Sequence, residues 1–590
     1  MTDFGTETAP PPVSDLLDAF EAVAREAPGK AALVGLRGAE PDGEQVVWTR
    51  RELADDLRAT AALLEAEGAS PGRPLGILLP TLPETHLLLW AGLQACDVGL
   101  INPLLRREHI ARLITAMSIG VLAHPSRSLD PERWAIAQAL AAEDADLRLL
   151  EVGPGSAFME RLRSTPPRGA GRGAGGSALF HTGGTTGRPK IAPLSRSNIL
   201  AVSDMLRETL AFTAADIFVC PLPLFHIAGA VVGGLAPLLS GSCVVMPAPG
   251  GLRDPGVVAA FWRVVAAHRA TMLVAVPTAL AALTNVPVDG ADLSSLQYVL
   301  TGTAPLPPET ARRFTALTGK PVHTGYGMTE TSGGIAYVPR TAPARPASVG
   351  PALPNLELRV MCDGRSSSGK VGEVQVRGPN VFAGYLAPAD PALTRDGWFA
   401  TGDLGSLDAD GWLTLTGRSK DLIIRGGHNI DPAVIEDAAG EHAGVAVAAA
   451  VGQIDDYAGE VPVLYVQLRP GAGDAEAAKA QIIELLDKTI AEPPARPRVV
   501  QVLPELPLTA VGKVYKPALR ALAAHTRLSA LLEEEGLFAG PGRLTVDPDE
   551  GGRLLVRVRL AENESGAAER LRSRLGLFPV TALVSVGREG

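Results

Sequence analysis

Hydrophobic positions along the first half of the chain follow two alternating patterns. Residues 14–67 carry apolar side chains mainly at helical spacing, which predicts a mostly helical start. Short continuous apolar runs at 75–79 and 98–101 flank a helical stretch at 85–94. Continuous apolar runs between helices are typical of buried parallel strands, and the alternation continues to about residue 324. The pattern therefore predicts an α/β fold for this large N-terminal part.

The pattern changes near residue 350. Segments 356–361 and 373–376 are short predicted strands between Gly, Pro and Asp turns, which indicates a β-rich subdomain at about 350–417. A compact region of strands and helices follows at 422–527. We therefore expect an N-terminal domain that ends at 417, a linking segment, and a smaller C-terminal α+β domain.

The last part of the chain, residues 528–590, reads as a separate αβ extension, and we assign it no chemistry. Packing onto the preceding domain is its favoured role, with contact to a partner as the alternative. Its predicted strands are 544–546, 554–560 and 580–586, with a helix at 567–575.

Composition limits the classes of function. The 590 residues carry a formal net charge of −10, from 54 basic and 64 acidic side chains, without a dense basic run. That balance argues against a nucleic-acid partner. The longest apolar stretch, 228–239, is too short to span a bilayer, and the N-terminus lacks the order of a signal peptide. The four cysteines show no metal-binding spacing, so we expect buried thiols in a cytoplasmic protein.

One segment, from His181 to Lys190, carries much of the candidate chemistry. It reads HTGGTTGRPK and follows the apolar run 178–180, so it begins where a predicted strand ends. Glycines let a backbone approach an anion closely, while threonine hydroxyls and a lysine add donors and charge. Pro189 stands where a Walker A loop needs glycine, which excludes that motif. The segment predicts an anion-binding loop at the carboxyl end of a strand.

Four further segments add functional groups. Glu330 offers a hard oxygen ligand suited to Mg²⁺, and Tyr326 before it offers a ring that could stack on a base. Asp403 lies in a Gly-bounded turn, where a fixed carboxylate can accept both hydroxyls of a ribose. Segment 417–430 carries charges and paired glycines, and Lys513 lies in a Gly-containing loop. Taken alone, Glu330 fits a carboxylate at a helix N-terminus, and Lys513 fits a solvated surface lysine.

Together, the order and spacing of these five segments resemble the adenylate-forming superfamily, which includes acyl-CoA synthetases, free-standing adenylation domains and firefly luciferase. The likeness runs from about Leu16 to Arg520 and is greatest to a free-standing acyl-CoA synthetase. It implies a large N-terminal domain, a small mobile C-terminal domain, and ATP, Mg²⁺ and coenzyme A. In the implied reaction a carboxylate attacks the α-phosphate of ATP, giving acyl-AMP and pyrophosphate. A thiol, usually that of CoA, then displaces AMP.

The resemblance also implies roles for individual residues. Catalytic roles fall on Lys513, Glu330 and Thr185, with Glu330 binding Mg²⁺ and Lys513 bridging the carboxylate and the α-phosphate. Cations beside two anions that must meet lower their repulsion, and fixed geometry removes much of the entropic barrier. The residues implied to contact ATP or AMP are Thr182, Gly183, Gly184, Thr185, Thr186, Gly187, Lys190, Gly302, Thr303, Ala304, Tyr326, Gly327, Met328, Thr329, Glu330, Asp403, Arg418 and Lys513.

The second half-reaction is implied to need a domain rotation. Lys420 matches the hinge position within 418–421, and rotation there would withdraw Lys513. Gly426, Gly427 and His428 would then face the pantetheine arm of CoA, where a slim backbone suits a narrow tunnel.

Two positions depart from the pattern of the superfamily. Gly183 stands where many relatives have serine, so one hydroxyl contact to phosphate is missing. Ile191 follows Lys190 where glycine is frequent, which alters the exit of the loop.

The acid pocket is implied to lie beside His226, with Ala228 and Gly229 as small neighbours. His226 fits a gate to this pocket and, equally, a hydrogen-bonded core histidine. The apolar stretch 275–283 and the small residues favour a medium or long fatty acid or another bulky apolar carboxylate. Pocket size cannot be derived from the sequence, because it depends on how several loops meet.

Three alternatives concern the fate of the acyl-adenylate and the activity itself. Absence of a carrier domain after Lys513 favours free CoA as the acceptor, with a separate carrier protein as the alternative. Release of the acyl-AMP to another acceptor is a second possibility. A catalytically silent nucleotide-binding relative is a third, and the joint presence of Glu330, Asp403, Arg418 and Lys513 argues against it. We expect a monomer or homodimer.

Overall fold

The computed structural model describes most of the chain. The described residues are 15–167, 175–182, 190–345, 348–362, 365–366, 369–386, 396–418, 421–425, 428–455, 457–490, 492–509, 512–537, 543–548, 554–575 and 580–587.

Two mainly parallel sheets build the N-terminal part, as the apolar runs predict. In the first sheet only the last neighbouring pair is antiparallel, and its strands in spatial order are Arg148–Val152, Val121–Pro125, Leu75–Ile77, Val98–Leu100, Ser177–Thr182 and Lys190–Ser195. In the second, the first and the last pair are antiparallel, and the order is Ala336–Tyr337, Val322–Tyr326, Tyr298–Gly302, Met272–Val274, Ile217–Val219, Cys243–Met246, Ala31–Leu36 and Gln45–Thr49.

Helices connect these strands, as crossovers between parallel strands require. A π-helical segment, Ala228–Leu235, continues into the short helix Ala236–Leu239. The α-helices before it are Leu16–Glu26, Arg50–Ala66, Pro83–Ala95, Arg107–Ala116, Pro131–Glu143, Phe158–Ser164 and Arg196–Leu210. Those after it are Pro255–Ala267, Pro277–Leu283 and Pro308–Thr318.

The expectation of a mainly helical start at 14–67 is wrong in its middle. Ala31–Leu36 and Gln45–Thr49 are paired antiparallel strands that lie between two helices. The first of these strands is almost entirely buried because it also pairs in parallel with Cys243–Met246. A six-residue apolar strand between two amphipathic helices is too short to interrupt the helical pattern of apolar positions. Its pairing with a distant strand is what identifies it.

Apolar side chains on the two faces of the second sheet belong to different cores. Val244 and Val245 are neighbours on one strand, and they lie in separate clusters because successive side chains point to opposite faces. The cluster that contains Val244 continues into the first sheet and includes the buried Trp90 and Phe180. The two sheets are thus joined by a common core.

The β-rich subdomain is an antiparallel sheet, as expected. Its strands in spatial order are Ser348–Pro351, Trp412–Arg418, Phe399–Leu407, Gly372–Arg377, Glu357–Cys362 and Arg365–Ser366.

The region after residue 421 has its own sheet and core. The strands are His428–Ile430, Ile423–Arg425, Gly459–Leu468, Val445–Asp455 and Val499–Leu503, and the helices are Pro432–Gly440, Ala475–Thr489 and Lys516–Glu534.

The extension contains the predicted strands and helix, at Leu544–Pro548, Leu554–Leu560, Val580–Val586 and Ala568–Leu575. It packs onto the helix Lys516–Glu534, with Leu571 and Val556 buried against Leu528 and Leu531. The boundary expected at 527/528 therefore falls inside a continuous helix.

Two further expectations concern the cysteines and the membrane. Cys96 and Cys220 are buried, which raises the pKa of each thiol to about 12, while Cys243 and Cys362 are partly buried. Within the part of the chain that the structure describes, no helix is both long enough and apolar enough to cross a bilayer.

Candidate active site

The anion-binding segment is held at its two ends by paired strands. Thr182 and Lys190 are cross-strand partners, as are His181 and Ile191. The predicted phosphate contacts Gly183, Gly184, Thr185, Thr186 and Gly187, and the side chain of Thr182, lie outside the described residues.

Glu330 lies in a short turn of 3₁₀ helix directly after the strand Val322–Tyr326, and only 5% of its surface is exposed. The hydroxyl of Tyr385 donates a hydrogen bond to Oε1 of Glu330 at 2.6 Å. The ammonium of Lys190 lies 5.1 Å from the centre of the Tyr385 ring. Tyr385 thus connects two residues that the sequence predicts to bind nucleotide, and the sequence analysis missed it.

Tyr326 contacts Asp403, the residue that the sequence predicts to bind the ribose. Its hydroxyl donates to Oδ2 of Asp403 at 2.6 Å, and both side chains are buried. Asp403 pairs across the antiparallel strands with Arg418, so the backbone brings the two predicted ribose ligands together. The side chain of Arg418 lies outside the described residues.

The predicted adenine border lies beside this turn. Gly302 pairs with Gly325, and a Cβ atom on Gly302 would come within 2.6 Å of the Gly325 carbonyl oxygen, so only glycine fits. Thr303 and Ala304 follow, and Thr303 has a φ of +70°. The Thr303 hydroxyl is buried and makes no hydrogen bond to the described residues.

The turn between Tyr326 and Glu330 also needs close backbone contact. A Cβ atom on Gly327 would lie 2.2 Å from the Gly333 carbonyl oxygen. Met328 and Thr329 complete the turn, and the Met328 amide donates to the Thr331 hydroxyl.

Lys513 lies in a loop that contacts the N-terminal part. The Thr278 hydroxyl donates to the Gly512 carbonyl oxygen at 2.6 Å, and the Lys513 amide donates to the Thr509 hydroxyl at 3.0 Å. Burial and, after it, the charge of Lys513 lower the pKa of the His226 imidazole. The loop of Lys513 lies against the helix Pro277–Leu283 of the N-terminal part.

The side chain of His226 is half-buried. Burial, then Lys513 and His181, lower its pKa to about 3, so the ring is neutral at neutral pH. Its Nδ1 accepts a long hydrogen bond from the Ala228 amide at 3.4 Å, and Gly229 packs on the Pro223 carbonyl. The structure shows a hydrogen-bonded histidine, and its role as a gate stays a prediction.

His181 is a second histidine of this group that the sequence analysis did not single out. Its Nε2 accepts from the Asn102 amide at 3.3 Å, and burial lowers its pKa to about 4. A histidine before a glycine-rich loop carries no local signal of this position, which depends on the distant Asn102.

The predicted hinge and CoA ligands are less fully described. Lys420, Gly426 and Gly427 lie outside the described residues, while His428 pairs with Arg425 in an antiparallel hairpin. Their roles stay predictions.

The donor set suits Mg²⁺ held together with nucleotide phosphates. Among the described residues no group of three or more His, Cys, Asp and Glu side chains could hold a metal by itself. Mg²⁺ commonly takes one or two carboxylates and completes its shell with phosphate oxygens and water, so the buried carboxylate of Glu330 fits it.

A buried carboxylate after a parallel strand and a lysine from the C-terminal part, on this α/β fold, suit an adenylate-forming enzyme. The family model of the AMP-binding enzyme matches residues 20–386, and that of the AMP-binding enzyme C-terminal domain matches 434–513. The chain belongs to the AMP-binding enzyme family.

Curated relatives act on chemically different acids. The marinolic acid–CoA ligase of a Pseudoalteromonas species is 34% identical, with 86% of this chain and 81% of that protein covered. The sulfoacetate–CoA ligase of Cupriavidus necator is also 34% identical, with 82% and 96% covered. Among solved structures, ATP-bound MatB from Rhodopseudomonas palustris is similar with a TM-score of 0.73 and 28% identity, over 85% of this chain and 98% of that one.

The protein is accordingly an acid–thiol ligase of the CoA-ligase type, and its cofactors and co-substrates are ATP, Mg²⁺ and coenzyme A. The range of acids among the relatives leaves its own acid open.

Proposed function

We propose that this ligase activates a hydrophobic carboxylic acid, of medium or long chain or otherwise bulky, as its acyl-adenylate and transfers the acyl group to CoA. The observation that carries the proposal is the contact of the Lys513 loop with the N-terminal part, where the Thr278 hydroxyl donates to the Gly512 carbonyl oxygen at 2.6 Å. The buried carboxylate of Glu330 in that N-terminal part suits magnesium.

Support for an apolar acid comes from the walls beside His226. The segment Ala228–Leu235 has only apolar residues, and Ile227 and Val232 lie against Gly333, where a Cβ atom would come within 3.3 Å of both side chains. His226 and His181 are neutral at pH 7 because burial lowers their pKa values, so they supply no positive charge for a second carboxylate. Such walls favour an apolar monocarboxylic acid over a dianionic one.

In the proposed first step, Lys513 holds the acid carboxylate and the α-phosphate of ATP together. Its loop is fixed by Thr278 and Thr509, so the ammonium needs little reorganisation. Asp403 and Arg418 would hold the ribose, and Glu330 would bind Mg²⁺. When bound, the metal supplies charge neutralisation at the phosphates.

In the proposed second step, rotation at Lys420 withdraws Lys513 and presents the segment that contains His428 to the thiol of CoA. The rotating unit would begin at about 422, run through the helix Lys516–Glu534 and carry the extension along. We further propose a cytoplasmic monomer or homodimer, the compartment being the one that supplies both ATP and CoA.

The test is a screen of purified protein for acid-dependent pyrophosphate release, across fatty acids of increasing length and aryl or polycyclic acids. Pyrophosphate release that depends on an apolar acid, followed by AMP release that depends on CoA, supports the proposal. Faster AMP release with a pantetheinylated carrier protein than with CoA would favour the carrier-loading alternative. No pyrophosphate release with any acid would refute adenylation and favour a silent relative.

A further inference from the structure

Tyr385 contacts both charged residues of the proposed nucleotide site. Its hydroxyl donates to Oε1 of Glu330 at 2.6 Å, and its ring faces the ammonium of Lys190 at 5.1 Å from the ring centre. A distance of 5.1 Å lies within the range of a cation–π interaction. One neutral side chain therefore touches both the expected metal ligand and the expected phosphate cation.

The segment around Tyr385 is fastened to both neighbours through its backbone. The Phe382 amide donates to the backbone oxygen of Glu330 at 2.9 Å, and the Leu386 amide donates to the backbone oxygen of Ile191 at 2.9 Å. The rings of Phe382 and Tyr385 pack edge to face with centres 4.9 Å apart. These contacts fix the position of Tyr385 between the strand that begins at Lys190 and the turn that contains Glu330.

The direction of the hydrogen bond determines its effect on the carboxylate. The Tyr385 hydroxyl is the donor of this bond, because an ionised carboxylate oxygen can only accept. A carboxylate has two oxygens, and a donor on Oε1 orients the group so that Oε2 can serve a cation. Carboxylates that ligate metals are commonly oriented by such hydrogen bonds, and their loss lowers metal affinity about 10–100-fold.

We propose that Tyr385 is a positioning residue of the metal–nucleotide site, which orients Glu330 through its hydroxyl and supports Lys190 through its ring. This inference rests on the proposed roles of Glu330 and Lys190. It predicts separable effects, because Tyr385→Phe removes the hydroxyl and keeps the ring, while Tyr385→Leu removes both.

A matched control is Tyr298→Phe. The Tyr298 hydroxyl is buried and donates to the Val338 carbonyl at 2.7 Å, which is a neutral acceptor. Each phenylalanine variant loses one hydrogen bond from a tyrosine hydroxyl, but only Tyr385→Phe loses a bond to a carboxylate.

The experiment titrates Mn²⁺ by electron paramagnetic resonance in the presence of a non-hydrolysable ATP analogue, which needs neither the acid nor turnover. We expect Tyr385→Phe to bind Mn²⁺ about tenfold more weakly than wild type, and Tyr298→Phe to bind it as wild type does. Tyr385→Leu should in addition weaken binding of the analogue measured without metal, because Lys190 loses its aromatic partner. With Mg²⁺ and a substrate acid, raising the metal concentration should restore kcat in Tyr385→Phe.

Two results would overturn the proposal. One is equal Mn²⁺ affinity in Tyr385→Phe and Tyr298→Phe. The other is a Tyr385→Phe protein whose thermal stability without ligand falls while its Mn²⁺ affinity stays at the wild-type value, which would make the residue merely structural. If wild type itself bound no Mn²⁺ with the analogue, the nucleotide role of Glu330 would fail, and with it both proposals.

Discussion

Replacing Lys513 with alanine isolates the contribution of one ammonium group. The loop is held by backbone atoms, since Gly512 accepts from Thr278 and the Lys513 amide donates to Thr509. Alanine keeps all of these bonds, so the loop should stay in place and only the charge should be lost. Removal of one preorganised transition-state donor slows the chemical step about 10²–10³-fold, or about 2.7–4 kcal/mol.

The assay separates the two half-reactions. Single-turnover pyrophosphate release should fall by at least about 10²-fold in Lys513→Ala, while thioester formation from supplied acyl-AMP and CoA should keep the wild-type rate. Lys516→Ala is a matched control, because Lys516 lies three residues away and pairs with Glu436 at 2.7 Å rather than approaching His226. That variant should adenylate normally.

A spectroscopic readout checks the geometry independently of turnover. Since the Lys513 ammonium helps to lower the pKa of His226, its removal should raise that pKa in an NMR titration. Equal losses in both half-reactions would assign Lys513 a structural role or a role in both steps. An unchanged adenylation rate would exclude it from the mechanism, and an unchanged His226 pKa would contradict the proximity on which the reasoning depends.

Three further predictions concern stability and the nucleotide turn. Burial lowers the pKa of His86 to about 3. Below about pH 6.5 the unfolded chain therefore takes up a proton at this residue and the native chain does not. The free energy of unfolding should fall on acidification, by about 2 kcal/mol from this residue between pH 7 and 5. Urea unfolding of His86→Gln at both pH values should show a pH dependence smaller by that amount, and an equal dependence would refute the assignment. Leu571→Ala should lower the free energy of unfolding of the part that contains the extension by about 2–4 kcal/mol without changing the KM for ATP, and a changed KM would contradict the separation. Gly327→Ala should weaken ATP binding at least about tenfold because its Cβ atom meets backbone, whereas Gly29→Ala, with open space around it, should bind normally in calorimetry; similar affinities would show that the turn tolerates a side chain.

Sequence alone predicted the architecture because its strongest signals are local. The strand before the glycine-rich segment is Ser177–Thr182, and the strand that ends at Tyr326 carries Glu330 in the next turn. Chemistry at the ends of apolar runs is the usual arrangement of open α/β sheets, so motif and fold supported each other.

The parts that sequence missed depend on distant contacts. Tyr385 lies 55 residues from Glu330 in the chain, and its contact exists only because the segment with Phe382 hydrogen-bonds to the turn of Glu330. His181 begins the glycine-rich motif in the sequence, and its Nε2 accepts from the amide of Asn102, 79 residues earlier in the chain. Neither relation leaves a periodic or compositional signal.

The helix Lys516–Glu534 connects the loop of Lys513 to the C-terminal extension. It begins three residues after Lys513, and its C-terminal half packs against the extension. Leu528 and Leu531 belong to the hydrophobic core that the two share. In the proposed rotation, a displacement of Lys513 would move the extension as well, because the nineteen-residue helix connects them. We therefore expect an antibody or a tether that holds the extension in place to slow catalysis without contacting the nucleotide site.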